Sequence, residues 1–345
     1  MTKEGNVRIG FVGCGTHSTH NLYPMLKYAA CELVATCDRD ESLAQRNAAV
    51  YGAKAAYTDY RRMMDQETLD AVMVCGPFDL HYAAGCEAMS RGLPVWVEKP
   101  PAPDLASTLK MVEIANKNKT FFMIGFMKRF ALTYRKVWEF AQNGRAKLSS
   151  GLFRYTHWAG MDLHITMMAM AVHPVDLAMS YFGVPSEVTS FVYDAAPKTP
   201  CVNLTLRFPD GRWATILLGC HGPRIQEHVE LYGQMDGKDG YFAIDNVLNM
   251  ELHTAGQGGV DIVAPTFAQI APTFDMDDIK VWRPDLGIPN MAQCSTFAGG
   301  YAGEIREFVN AIREGRRATP SNEDVIPVMK VVDAVLKKPN GRTVL

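Results

Sequence analysis

The stretch VWVEKPP, residues 95–101, decides how the rest of the sequence is interpreted. Its first three residues are apolar, which suits a buried strand of a parallel sheet. Proline cannot extend the hydrogen-bond ladder of a strand, so we expect the strand to end at Lys99. Lys99 then lies at the carboxyl end of a strand, where open α/β sheets bind ligands. The alternative is a surface lysine beside a proline, since most lysines are exposed.

Strands and helices alternate on both sides of this stretch. Strands are predicted at 7–13, 32–37, 69–75, 94–98 and 121–126, and helices after Gly13, over 79–91 and over 104–118. This alternation is typical of a doubly wound parallel sheet. We therefore predict an α/β dinucleotide-binding domain over residues 1–127.

A glycine-rich loop follows the first strand. Residues 13–18 read GCGTHS, the G-x-G-x-x-G pattern of dinucleotide-binding loops with serine in place of the third glycine. Gly13 permits the tight turn, Gly15 lets the backbone approach a pyrophosphate, and the following helix points its N-terminus at the phosphates. The residues expected to contact the dinucleotide are Gly13, Cys14, Gly15, Thr16 and His17.

Asp38 ends the second predicted strand and follows Ser18 at the fingerprint spacing of about 20 residues. An acid there binds both ribose hydroxyls of NAD and repels the 2′-phosphate of NADP. The cofactor is therefore predicted to be NAD, with NADP less favoured. Two alternatives stay open: Asp40 can cap the next helix with Asp38 merely in the loop, and Arg39 can stack on adenine or hold a 2′-phosphate.

The pattern changes after residue 127. A helix is predicted over 134–142, strands over 187–193, 202–208, 213–218, 228–232 and 241–244, a long loop over 254–296, and closing helices over 302–314 and 323–337. Alternating apolar residues around the turn at 209–212 indicate an antiparallel hairpin with one half-buried face. We predict an α+β domain over residues 128–345, with an open, mainly antiparallel sheet.

The open face of this sheet predicts self-association. Ile216 and Leu218 are expected near it, and an uncovered apolar face usually marks an interface. A homodimer or homotetramer is therefore expected.

The helix predicted over 166–176 carries His173, with Asp176 on the same face. Its methionines are explained by core packing, and a single helical histidine is more often a packed or surface residue than a functional one. Pro174 is expected to kink the helix beside His173. That irregularity favours a functional site.

Composition excludes several classes of protein. The chain has 345 residues, 48% of them hydrophobic, and a net charge of −2, which supports two folded domains and gives no basic field for nucleic acid or anionic lipid. No apolar run approaches membrane-spanning length, and the N-terminus lacks a signal-peptide pattern. The 8 cysteines form no CxxC pair, so no metal site is predicted. A reducing cytoplasm is the expected location.

Together these motifs resemble the glucose–fructose oxidoreductase, inositol dehydrogenase and rhizopine-catabolism (Gfo/Idh/MocA) family over nearly the whole chain. The resemblance rests on the loop at 13–18 with Asp38, on Gly76-Pro77 with His81, on Glu98-Lys99-Pro100, on GFMKRF at 125–130, on His173 with Asp176, and on EIREFVNAIREGR at 304–316.

The resemblance implies a first domain that binds NAD or NADP and a second domain, residues 128–345, whose sheet supports substrate and oligomer contacts. It also implies that Lys99 and His173 lie over the nicotinamide. Oxidation of an alcohol requires a protein group to take the hydroxyl proton. A lysine between apolar walls and a neutral histidine both suit that role. The further cofactor contacts implied are Arg39, Gly76, Pro77, His81, Glu98 and Lys99, and the substrate contacts are Arg129, Asp162, His164 and Asp176.

One position departs from the family pattern Asp-x-Gly-x-His-x-x-Asp, because Ala169 stands where the first aspartate is expected. His173 is therefore predicted to be the main acid–base group. His164 or Asp162, which precede the expected helix cap Thr166, would assist it. The alternative is that His164 contacts only substrate hydroxyls or simply packs.

These arguments predict an NAD-dependent oxidoreductase acting on a secondary hydroxyl of a sugar, glycoside or cyclitol. A second reading is an NAD-dependent glycosidase that oxidises the sugar transiently, eliminates the aglycone and reduces the sugar again. A third is a non-enzymatic, nucleotide-binding regulator. Lys99 and His173 argue against the regulator, whereas Ala169 leaves it open.

Overall fold

The computed structural model describes residues 5–157, 160–194, 196–219, 222, 224–256, 277–283 and 294–345. The strands are β1 (Val7–Val12), β2 (Cys31–Cys37), β3 (Ala55–Tyr57), β4 (Ala71–Val74), β5 (Val95–Val97), β6 (Phe122–Ile124), β7 (Ala146–Thr156), β8 (Glu187–Asp194), β9 (Pro200–Arg207), β10 (Trp213–Gly219), β11 (Gln226–Met235), β12 (Lys238–Asp245), β13 (Asn249–Ala255), β14 (Asp277–Trp282) and β15 (Gly341–Val344). The α-helices are α1 (Glu41–Tyr51), α2 (Tyr60–Gln66), α3 (Phe78–Ser90), α4 (Leu105–Lys117), α5 (Leu132–Gln142), α6 (Leu163–Ile165), α7 (Val172–Phe182), α8 (Cys294–Ala298), α9 (Tyr301–Glu314) and α10 (Asn322–Lys337).

The first of two compact units comprises Met1–Phe130, Met167–Asp176 and Thr296–Lys337. Its six strands are all parallel and lie in the order β3-β2-β1-β4-β5-β6. The predicted doubly wound parallel sheet is thus confirmed. The strand order reverses between β1 and β4, and the crevice outside the carboxyl ends of strands at such a switch point is where these sheets bind ligands. The domain boundary between residues 127 and 128 stays a prediction.

The apolar strands of this sheet are buried as their sequences predict. Every residue of β5, including Trp96, has no exposed surface. The strand ends at Val97 rather than at Lys99, so Glu98 and Lys99 both lie beyond it. Strand β5 therefore places two ionisable residues, Glu98 and Lys99, directly beyond its carboxyl end.

The segment after the glycine-rich loop is not the regular α-helix predicted there. It is π-helical over Ser18–Leu22 and 3-10 helical over Tyr23–Tyr28. Pro24 has no N–H to donate to the carbonyl of His20, so an α-helical ladder cannot run through it.

The helix that carries His173 is also irregular. A π-helical segment, Thr166–Ala171, leads into α7, so the irregularity lies just before Val172. Pro174 cannot donate to the carbonyl of Met170, which accounts for a break in the α-helical ladder at this place. Such π segments occur often at functional sites.

The second compact unit comprises Ala131–Thr166, Leu177–Ser295 and Lys338–Leu345. Its nine strands lie in the order β14-β13-β12-β11-β7-β10-β9-β8-β15, and β7 with β10 is the parallel pair among otherwise antiparallel neighbours. The predicted open, mainly antiparallel sheet is confirmed. The loop predicted over 254–296 contains strand β14, while residues 257–276 and 284–293 lie outside the described part of the chain.

The side chains of strand β10 lie on the faces of this sheet opposite to those predicted. Ile216 and Leu218 have no exposed surface, so their predicted place near the open face is wrong. Side chains alternate along a strand, and it is Trp213 and Leu217, each 43% exposed, that lie on the open face. The apolar open face is real, but other residues form it.

Two kinds of feature are absent from the part of the chain that the structure describes. No helix there is long and apolar enough to cross a membrane. In the same part of the chain, no group of three His, Cys, Asp or Glu side chains could hold a metal ion.

Candidate active site

The glycine-rich loop fits a dinucleotide. Gly13 has a φ of +104°, and a Cβ there would lie 1.8 Å from the carbonyl oxygen of Cys75, so glycine is required. Gly15 is exposed and has no atom within 4 Å of the place of a Cβ. Ser18 is 1% exposed and donates to the carbonyl oxygen of Gly15 at 3.0 Å. The loop therefore keeps open space where a pyrophosphate approaches the backbone.

Asp38 is tied to this loop. Its Oδ2 accepts from the N–H of Cys14 at 2.7 Å, and its Oδ1 accepts from the N–H of Asp40 at 3.0 Å. Asp40 caps α1 through the N–H of Ser42 at 3.0 Å. Asp40 is thus the cap and Asp38 braces the loop, and carboxylate oxygens retain acceptor capacity for ribose hydroxyls. Arg39 is exposed beside them.

A cleft of 310 Å³ opens beside the loop, a size at the lower end of ligand sites. Its lining residues are Cys14, Gly15, Thr16, Thr19, His20, Leu43, Arg46, Asn47, Val50 and Tyr51. Arg46 donates to the carbonyl oxygen of Cys14 at 3.0 Å and to Oγ1 of Thr19 at 3.1 Å. Arg46 could not be predicted from the sequence, because an arginine on a helix carries no signal of the loop it contacts.

Glu98 is a buried carboxylate held by two donors. Its Oε1 lies 3.1 Å from Nε2 of His17, and its Oε2 accepts from the N–H of Lys99 at 2.7 Å. The amide of Asn21 lies 3.1 Å from Nδ1 of His17, so Nε2 can carry the proton that bonds Glu98. Burial opposes ionisation of Glu98, but the His17 hydrogen bond and the Lys99 charge bring its pKa below the usual value.

Lys99 contacts the π-helical segment. Its Nζ donates to the backbone carbonyl oxygen of Ala169 at 3.1 Å. Ala169 is the position where the family pattern has an aspartate. A backbone oxygen, rather than a side-chain carboxylate, therefore holds the amine at this position.

His173 lies in a positively charged neighbourhood. Burial lowers its pKa well below the usual value, and the charges of Lys99, Lys128 and His17 lower it further. The pKa of Lys128 is also well below its usual value, because of burial and the charge of Lys99. Sequence analysis did not single out Lys128, although it lies in the GFMKRF motif. Burial and the charges of Lys99, Lys128 and His17 together favour the neutral imidazole of His173, which is the form that accepts a proton.

His81 joins the loops that follow β4 and β5. It is 2% exposed, its Nε2 accepts from the N–H of Gly76 at 2.9 Å, and its Nδ1 donates to the carbonyl oxygen of Pro100 at 2.7 Å. Pro77 is the residue from which α3 begins. Because both ring nitrogens are used, the geometry gives no support to the predicted cofactor contact of His81. Its place beside Lys99-Pro100 makes it a brace for the lysine.

Arg129 and Asp176, both predicted to contact substrate, bind each other. Nη2 of Arg129 lies 2.6 Å from Oδ1 of Asp176, and Nε lies 2.9 Å from Oδ2. Nη1 lies 3.5 Å from Asp324 of α10. Burial raises the pKa of the Asp176 carboxyl, and the Arg129 guanidinium opposes that rise. This buried bidentate pair is structural in form, so the two substrate contacts stay predictions.

Asp162 and His164 belong to the second unit. Asp162 accepts from the N–H of Ile165 at 2.8 Å and caps α6, so the predicted cap at Thr166 is wrong. The side chain of His164 is exposed. The assistance that either residue would give His173 stays a prediction.

Comparison with known proteins identifies the family. The family model GFO_IDH_MocA, "Oxidoreductase family, NAD-binding Rossmann fold", matches residues 7–126, and its companion, "Oxidoreductase family, C-terminal alpha/beta domain", matches residues 133–345. The predicted resemblance and the NAD-binding character of the first domain are thus confirmed.

Individual known proteins share only a minor part of their sequence with this chain. Inositol 2-dehydrogenase 4 of Saccharopolyspora erythraea is 32% identical over 38% of this chain and 39% of its own length. D-glucoside 3-dehydrogenase of Escherichia coli is 28% identical over 52% of this chain and 55% of its length. The matched segments thus span about half or less of these relatives. A solved dehydrogenase from Chromobacterium violaceum shares the fold with a TM-score of 0.83, 24% identity and coverage of 97% of this chain and 95% of that one.

Proposed function

Because the chain belongs to the Gfo/Idh/MocA oxidoreductase family, we propose that it is an NAD-dependent dehydrogenase acting on a secondary hydroxyl of a sugar, glycoside or cyclitol. The observation that carries this proposal is the placement of Lys99. Lys99 follows strand β5, its charge acts on the carboxylate of Glu98, and its amine bonds the π-helical segment next to His173. The names of the relatives, inositol and glucoside dehydrogenases, support the substrate class.

NAD supplies the acceptor for the hydride when it is bound. The protein must bind and orient the alcohol and remove its proton. Lys99 can donate a hydrogen bond to the alcohol oxygen as negative charge develops there. Neutral His173 can accept the proton, since burial and the neighbouring lysines disfavour its charged form before the reaction. We assign Lys99 and His173 as the catalytic residues.

The glycine-rich loop, Asp38 and Arg46 are proposed to hold the adenosine and pyrophosphate half of the cofactor. Gly15 leaves space for the phosphates, and Arg46 adds a positive charge to the adjoining cleft. The Asp38 carboxylate favours the ribose of NAD over the 2′-phosphate of NADP. NAD is therefore the proposed cofactor.

Three further proposals concern residues and properties outside this set. His164 or Asp162 assists His173 or contacts substrate hydroxyls. The protein forms a homo-oligomer through the open face of its nine-stranded sheet. It works in a reducing cytoplasm, which agrees with the free thiols of Cys14 and Cys37.

A screen of polyols, aldoses and glycosides tests the proposed activity. The purified protein is mixed with NAD and each compound, and the near-ultraviolet absorbance of NADH is followed beside product analysis. Net NADH formation with one class of compound supports the proposal. Release of an aglycone without net NADH indicates the transient-oxidation glycosidase instead, and cofactor binding without turnover of any compound indicates the regulator.

A further inference from the structure

Glu304 is a buried carboxyl that the proposed reaction does not yet use. It lies in the first turn of α9 and has no exposed surface. Among the described residues, neither of its carboxylate oxygens has a hydrogen-bond partner. An ionised carboxylate without a donor is very costly to bury, so the geometry requires the protonated acid.

Glu304 lies within electrostatic reach of the proposed catalytic lysine. The negative charge of Glu98 and the positive charge of Lys99 both act on the carboxyl group of Glu304. Glu98, Lys99 and Glu304 all influence the thiol of Cys75, which directly follows β4. Tyr301 of the same helix contacts the ring of His17 at 5.8 Å, and His17 bonds Glu98. Helix α9 is thus linked to the Glu98–Lys99 pair both through His17 and through the charges that act on Glu304.

Helix α9 also packs on β1 and on three helical turns of the same unit. The ionisable groups coupled electrostatically to Glu304 are Glu98, Lys99 and Cys75. The elements packed on α9 carry further ionisable residues, which are Arg8, His20, Tyr23, Lys27, Tyr28, Lys128 and Arg129. Burial, and then the charge of Glu98, raise the pKa of Glu304 well above its usual value, and Lys99 offsets only part of this. Glu98, in contrast, is stabilised as the anion.

We propose that Glu304 is a positioning residue of the hydride-transfer site, an un-ionised acid that leaves Glu98 as the one negative charge beside Lys99. A second carboxylate there would offset the positive charge of Lys99 and oppose the negative charge that develops on the alcohol oxygen. Two carboxyl groups with opposite protonation states are a recurring way to divide such roles. This inference rests on the proposed function for its effect on rate, but not for the protonation state of Glu304.

Glu304→Gln tests the protonation state without any substrate, because glutamine keeps the shape and stays neutral. When wild type unfolds at neutral pH, Glu304 loses its proton, so its contribution to stability is full below about pH 4 and falls as pH rises. We expect the melting temperature of Glu304→Gln, relative to wild type, to increase steadily as the pH is raised above about pH 5, because the unfolded wild type loses the Glu304 proton there and the native state keeps it. The control Glu113→Gln, on the surface of α4, should show no such increase. A difference that is constant or falls with pH would overturn the proposal.

The rate test separates positioning from mere packing. The ratio of kcat for Glu304→Gln to that of wild type should lie near one while Glu304 of the wild type keeps its proton, and rise severalfold toward alkaline pH, where that proton is lost. Glu304→Met, also neutral, should behave likewise and serves if the glutamine variant does not fold. A ratio that stays flat with pH, or a large loss at every pH, would overturn the positioning role. If no substrate is turned over at all, the proposed function fails, while the melting experiment still decides the state of Glu304.

Discussion

At the scale of single residues, the surroundings of Glu98 and His173 favour opposite kinds of group, an anion and a neutral base, next to the amine of Lys99. Glu98 accepts two hydrogen bonds and is held as an anion. His173 is held neutral by burial and two lysines. Lys99 bonds only a neutral backbone oxygen through its amine among the contacts described for it. The site therefore combines a fixed negative charge, a neutral base and an amine that can donate.

The neutral state of His173 predicts the acid side of the pH–rate profile. Because its pKa lies well below 6.5, the imidazole stays deprotonated until the solution is distinctly acidic. We expect kcat/KM to stay level down to below about pH 6 and to fall only at lower pH. His173→Gln should lose that acidic limb and at least about a hundredfold in turnover. An acidic limb centred at or above the usual histidine pKa would contradict the assignment.

The charge of Asp38 predicts the choice of cofactor. Wild type should bind NAD more tightly than NADP, because a 2′-phosphate would lie against the carboxylate. Asp38→Asn keeps an acceptor for the N–H of Cys14 and removes the charge. Relative to wild type, its binding preference should therefore shift toward NADP by about 2 kcal/mol, or roughly thirtyfold in the ratio of the Kd values for NADP and NAD. Calorimetric titration of both cofactors measures this, with exposed Asp65→Asn as the control. Tighter binding of NADP by wild type would refute the prediction.

At the scale of elements, strand ends could be predicted from sequence because proline and glycine interrupt the hydrogen-bond ladder locally. Lys99 and the glycine-rich loop were found in this way. Strand β7 was missed, although it lies near the centre of the larger sheet. Its pairing with β11 shifts register beside Gly233, and the apolar alternation of the strand breaks at Ser149 and Ser150. A bulge therefore hid the period of two.

Contacts between segments that lie far apart in the chain could not be predicted from the sequence, for a different reason. Arg129 and Asp176 are separated by 47 positions, and each alone looks like a substrate ligand. The carbonyl of Ala169 that holds Lys99 is a backbone atom, so no residue type signals it. Glu304 and Lys128 read as ordinary charged residues until the fold buries them.

The ion pair of Arg129 and Asp176 connects the 3-10 turn Met127–Phe130 with α7, so we expect it to contribute to the free energy of unfolding. Arg129→Met removes the partner of the buried Asp176 carboxyl, and Asp176→Leu leaves the Arg129 guanidinium with only its longer contact to Asp324. Each should cost about 3 kcal/mol of unfolding free energy. The double variant should lose clearly less than the sum, by about 2 kcal/mol. Urea titration of the four proteins gives the coupling. Additive losses, or intact stability with a raised KM, would instead support direct contact with substrate.

At the scale of the whole molecule, the nine-stranded sheet exposes apolar side chains on one face. Trp213 and Leu217 on β10, and Phe191 and Tyr193 on β8, are 43% to 70% exposed. Burying such a patch against a second copy would remove it from water. The homo-oligomer is proposed on this basis.

Light scattering at micromolar concentration tests the assembly. Wild type should give a mass of about two or four times 38.2 kDa. Trp213→Glu with Leu217→Glu should shift it to the monomer, because an unpaired charge is costly in an apolar interface. Val50→Glu, which changes an exposed residue of α1, is the matched control. A wild-type particle of 38.2 kDa would refute the proposed interface.

Hydride transfer that depends on Lys99 is the central claim, and a single-turnover experiment with deuterated substrate tests it most directly. A compound found in the screen is labelled with deuterium on the carbinol carbon and mixed with excess enzyme and NAD, and the deuterium in the nicotinamide is measured by mass spectrometry. Wild type should transfer the label in one turnover. Lys99→Met should bind NAD within about tenfold of wild type but transfer the label about a thousandfold more slowly, whereas the exposed control Lys54→Met should match wild type. Label that stays on the substrate in wild type, or an unchanged rate in Lys99→Met, would contradict the account.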